Sequence, residues 1–122
     1  MSRAENMNRA IRALSTTTPD VEAAAVVDND GLMMASSLPQ DIDEESVAAM
    51  SAALLGISER ISMELGRGDF QLNLVRGAKG LTLMTRCGPD AVLVVLTTPK
   101  AKLGLLFLDV KRTASELANV LG

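Results

Sequence analysis

Six consecutive apolar residues, Ala91-Val92-Leu93-Val94-Val95-Leu96, stand between the turn sequence Cys87-Gly88-Pro89-Asp90 and the breaker Thr97-Thr98-Pro99. A run this short, apolar throughout and half β-branched, predicts a strand whose two faces are both covered. That places it in the middle of a sheet and obliges the rest of the chain to supply a layer above and a layer below. At 122 residues, the chain has room for one domain, 1–122, with a single core.

The remaining segments meet that demand. Phe70, Leu72 and Leu74 alternate with Gln71 and Asn73, which predicts a strand over about 69–76. Val21–Val27 and Leu32–Ser37 flank Asp28-Asn29-Asp30-Gly31, residues that tolerate tight turns, so strands of about 21–28 and 32–37 form a hairpin. Gly77-Ala78-Lys79-Gly80 turns the chain into a further strand of about 80–86, and the apolar run supplies the last, about 91–97. Helices are expected over about 4–14, 43–65 and 100–120. Met7, Ala10, Ile11 and Leu14 share one face of the first, which Ser15-Thr16-Thr17-Thr18-Pro19 should end. Leu103, Phe107, Val110, Leu117 and Leu121 form the inner stripe expected of the last, with Thr98 as its cap and Pro99 in its first turn.

The longest helix, Asp43–Leu65, carries more buriable surface than one side of a domain needs. Asp41 or Asp43 is placed to cap it. Val47, Met50, Leu54, Ile57, Ile61 and Leu65 follow helical steps and are expected to face the core. A second face is small, Ala49, Ala52, Ala53 and Gly56, with Glu45, Arg60 and Met63 at its margins. Such a face lets another backbone approach closely, so this helix reads as both a roof over the core and a docking surface.

Composition narrows the chemistry. Histidine is absent, which removes the commonest general base, Ser-His and Cys-His nucleophiles and most zinc sites. The one cysteine, Cys87, has no activating neighbour and reads as a structural thiol. Asp28–Gly31 does not extend to a calcium loop: with Gly31 sixth, the first and twelfth positions are Val26 and Ser37, where carboxylates are required. Gly77–Gly80 lacks the spacing of a phosphate loop. Arg76, Lys79 and Arg86, like Glu44, Glu45, Glu59 and Glu64, read as solvated charges. No catalytic residue, metal or cofactor is expected, and the chain reads as a non-enzyme. A net charge of −3, scattered cations and only two aromatic residues exclude nucleic acid as an expected partner. The longest apolar runs fall far short of the ~20 residues of a membrane span, and the polar N-terminus carries no signal core, so a cytoplasmic location is expected.

Three stretches, Ala25–Ser37, Ala48–Arg60 and Ala91–Val110, in that order, resemble the Roadblock / dynein light-chain family, especially its bacterial members. The likeness runs from about Arg9 to Leu121. It implies an α+β fold: a five-stranded antiparallel sheet in the order 2-1-5-4-3, the long helix on one face and the terminal helices on the other, a Roadblock/profilin-like sandwich. It implies a homodimer, or a heterodimer with a sister Roadblock protein, pairing through the long helices and through the third strand. Here that strand would be Asp69, Phe70, Gln71, Leu72, Asn73, Leu74 and Val75. It further implies a Ras-like small GTPase docked over the paired helices at Ala49, Ala52, Ala53, Gly56, Arg60 and Met63. The function expected is regulation of that GTPase. The alternative is a dimeric scaffold that assembles proteins without changing nucleotide turnover, followed by a small-ligand sensor.

Overall fold

A computed structural model describes every residue, Met1–Gly122. Its elements follow in the order α1 (Arg3–Thr17), β1 (Val21–Asp28), β2 (Met33–Ser36), α2 (Glu44–Glu64), β3 (Leu72–Gly77), β4 (Gly80–Arg86), β5 (Ala91–Thr97) and α3 (Leu103–Leu121). The strands form one antiparallel sheet, β2-β1-β5-β4-β3. As the apolar run predicted, β5 lies at the centre, with Val94 opposite Ala25 of β1 and Val95 opposite Leu83 of β4. Its side chains divide by parity: Leu93 and Val95 enter the core beneath α1 and α3, Val92 and Val94 the core beneath α2.

The two cores are unequal. Eighteen buried residues cluster on the α1/α3 side and seven on the α2 side. Hydrophobic stabilisation scales with apolar area removed from water, so α1 and α3 carry most of the fold's burial and α2 is the lightly held layer.

Local chemistry sets where the elements begin and end. Asp28 Oδ1 accepts the N–H groups of Asp30 and Leu32, each at 2.9 Å, which closes the β1–β2 turn, and Gly31 takes a φ of +87° there. Asp43 caps α2 by accepting from the Glu45 N–H, while Ser46 Oγ donates to its carboxylate at 2.6 Å and lowers its pKa. The first helix runs past its expected end. Thr16 and Thr17 return their hydroxyls to the carbonyls of Arg12 and Ala13 at 3.1 and 2.9 Å, so the helix carries them until Pro19 approaches. The last helix starts later than expected. Thr98 is occupied with Asp20, through both its N–H and its hydroxyl, and α3 begins at Leu103 with no side-chain cap. Its inner stripe is Leu106, Val110, Thr113, Ala114 and Leu117, whereas Phe107 remains partly exposed. The third strand is shorter than expected: Asp69, Phe70 and Gln71 precede it, and Phe70 turns inward to fill the α2 side.

Candidate functional site

The long helix lies on the sheet by a different face from the one its large residues suggested. Its buried residues are Ala48, Ser51 and Leu55, with Ala52, Ser58 and Ser62 half-buried beside them. Met50, Ile57 and Ile61, expected in the core, are 64%, 57% and 53% exposed, and Leu65 also faces solvent. The reason is steric. Phe70, Met84, Val92 and Val94 already fill most of the sheet surface, so the helix rests on it through the small Ala48 and Ser51 and the single large side chain Leu55. Where the β1–β2 turn passes under α2, a Cβ on Gly31 would lie 3.5 Å from Ala52 Cβ.

Two flanking contacts set the rotation of α2. On the β3 side, Asn73 Nδ2 donates to Ser58 Oγ at 3.0 Å and Ser62 Oγ donates to the Gly68 carbonyl at 2.7 Å. From β4, Arg86 pairs with Glu59 at 2.7 Å and donates to the carbonyl of Pro89 at 3.2 Å. Neither Arg86 nor Glu59 is the free charge expected of it. Strand parity held the signal for Arg86: it shares the α2-facing side of β4 with Met84.

With that rotation, helical spacing separates the exposed surface into two bands. Leu54, Ile57 and Ile61, with Met50 above them, lean toward β3; Ile61 and Ser58 border the same cleft as Leu72 and Asn73. β3 is the last strand of the sheet, and Val75, 52% exposed, shares its α2-facing side with Asn73. Its outer backbone groups have no partner strand. Large apolar side chains and an open strand edge therefore adjoin. The second band lies on the other shoulder of α2: Ala49, Ala53, Gly56, Arg60 and Met63 are all exposed there. Of the small residues expected to dock a partner, Ala52 alone is turned toward its own fold. Arg60 reaches Glu64 at 3.4 Å, one turn along the helix. So open a pair contributes little and leaves Arg60 available to a partner.

Cys87 is buried, and desolvation raises its thiol pKa to about 12 despite the neighbouring Arg86. A thiol reagent at pH 8 is expected to modify Cys87 only as fast as the protein opens; rapid stoichiometric labelling of folded protein would show the thiol to be accessible.

Residues 7–97 match the family model described as the Roadblock/LC7 domain. In sequence the chain is 40% identical over 100 residues to the uncharacterized protein MJ0310 of Methanocaldococcus jannaschii, covering 82% of this chain and 87% of that protein. MJ0714 of the same organism is 41% identical over 100 residues, covering 82% of this chain and 84% of the relative. In structure it superposes on MglB of Myxococcus xanthus with a TM-score of 0.89 and 26% identity, covering 97% of this chain and 89% of the other. The gliding protein MglB of Thermus thermophilus matches in fold, with a TM-score of 0.88 at 21% identity over 98% of this chain and 91% of that one. No helix is long and apolar enough to cross a membrane.

Proposed function

The chain belongs to the Roadblock/LC7 family, and from that premise we propose that it is a non-catalytic homodimeric regulator of a Ras-like small GTPase, working in the cytoplasm. The observation that carries this reading is the division of the α2 surface into a large apolar band against an open strand edge and a small-residue shoulder facing away from it. The apolar band and β3 pair with their counterparts in a second copy. Leu72, Asn73, Leu74 and Val75 provide the strand, while Asp69, Phe70 and Gln71 flank it. Pairing would satisfy the open edge and cover Met50, Ile57 and Ile61 in one event. The shoulder of Ala49, Ala53, Gly56, Arg60 and Met63, with Ala52 at its inner margin, then receives the GTPase, whose backbone can approach where side chains are short.

Such a regulator acts by differential affinity: it shifts the GTPase toward whichever nucleotide-dependent conformation it binds more tightly. Arg60 supplies a contact and a charge on this shoulder, with no catalytic part assigned to it.

Ala53→Arg tests the docking shoulder. Because Ala53 is exposed, the variant is expected to fold and dimerise as the parent does while its affinity for the GTP-loaded partner falls at least about tenfold. Undiminished binding would remove the shoulder from the interface, and misfolding would place Ala53 in the core. GTP turnover by the partner, timed with and without this protein, separates a regulator from a scaffold: a scaffold binds and leaves the turnover unchanged.

A further inference from the structure

On the sheet face opposite α2, no helix covers β3. The gap between β3 and α3 is a groove of about 510 Å³. Its floor is Leu83, Val110 and Ala114, all buried, and its rims carry Leu72 on the strand side and Phe107 on the helix side. Leu108, one turn before Lys111 and 62% exposed, extends the apolar surface outward along the helix wall. The charged residues that line the groove, Arg86 and Lys111, have one sign. Lys111 lines the groove, Lys100 and Lys102 precede the uncapped start of α3, and none of the three forms an ion pair. Arg86, at the far wall, is committed to Glu59 on the other side of the sheet. No Asp or Glu lines the groove.

Shape and charge choose among the occupants. A second copy meeting this face across a two-fold axis would set Lys111 near its own mate, and like charges at close range oppose association. A lipid surface is flat on this scale and cannot reach Leu83, Val110 and Ala114, which lie below the rims. An α-helix can, because side chains at i, i+3, i+4 and i+7 form a ridge that fits a groove. We infer that the groove between α3 and β3–β4 is a docking site for an amphipathic helix of a partner protein, its ridge apolar and its flank acidic toward Lys111. This site is separate from the α2 shoulder and does not depend on what binds there.

The probe is a displayed library of amphipathic helices, about five turns long, with the apolar ridge fixed and the flanks varied. Selection against the intact protein is expected to enrich acidic flanks. Lys111→Glu should weaken the selected peptide about tenfold, and its lysine-flanked counterpart should then bind the variant better than the parent. Ser115→Trp, an exposed position on the helix wall, should fill the groove and abolish binding, with circular dichroism showing both variants folded. Ala53→Arg should leave peptide binding unchanged, which separates failure of this site from failure of the GTPase reading. No enrichment, enrichment without acidic flanks, or binding indifferent to both groove variants overturns the inference. Sedimentation of the protein with phosphatidylserine vesicles, lost on Lys111→Glu, would reassign the surface to lipid.

Discussion

Replacing Ile57 with aspartate is expected to yield a folded monomer, with the dimer dissociation constant raised about a thousandfold or more. The side chain is 57% exposed in the single chain, so its loss opens no core cavity and should leave the protomer's circular dichroism unchanged. In the proposed dimer it lies near the centre of the apolar band, between Met50 and Ile61. An aspartate there would be desolvated and set close to its mate across the two-fold axis, costing on the order of 4 kcal/mol through lost burial and like-charge repulsion. Sedimentation velocity at micromolar concentration should show a dimer for the parent and a monomer for the variant. The parent's melting temperature should also rise with protein concentration, because association stabilises only the folded state. A monomeric parent, or a variant that still dimerises, would overturn the pairing of α2 and β3.

The second large effect is on stability. Gly80→Ala is expected to cost about 3 kcal/mol and to lower the melting temperature by roughly 10 °C. Gly80 begins β4 alongside the end of β5, and an added Cβ would lie 2.4 Å from the Thr97 carbonyl oxygen. The obstacle is backbone, which no rotamer change can move aside. Relief requires parting β4 from β5 where Leu81 and Thr97, both buried, pair. Gly56→Ala is the matched control. That glycine sits within α2 with nothing inside 4 Å of the added carbon, so alanine should add somewhat under 1 kcal/mol through helix propensity. Thermal melts of the two variants side by side check both signs; a neutral Gly80→Ala would mean that the two strands can separate there at little cost.

Most of the architecture was legible in the chain because its signals are local. The unbroken apolar run of β5, the alternation of Leu72 and Leu74 with Asn73, the Asp28–Gly31 turn and the aspartate at the head of α2 each act within a few residues, whereas Phe70, read into the same alternation, lies before β3 and turns to the other core. The errors lie where a residue's partner is distant in sequence. Thr98 looked like a cap until Asp20 claimed it, and Glu59 and Arg86 looked solvated until strand and helix brought them within 2.7 Å. Phe107 looked like core until Leu106 and Val110 took the inward positions of α3.

The long helix shows the division most sharply. Its sequence alone determined that two bands, one of large apolar residues and one of small, share a single helix, and that its own domain cannot cover both. It could not show that a third face, Ala48, Ser51 and Leu55, is the one seated on the sheet, because helical periodicity records the spacing of a face and not its direction. Tertiary structure decided it. The sheet beneath α2 was already filled by Phe70, Met84, Val92 and Val94, so only Ala48, Ser51 and Leu55 could be seated on it. Met50, Ile57 and Ile61 were left outside, beside the open edge of β3. Close packing between elements far apart in sequence selects the inward face, and that selection turns the large residues of this helix from core into an exposed surface.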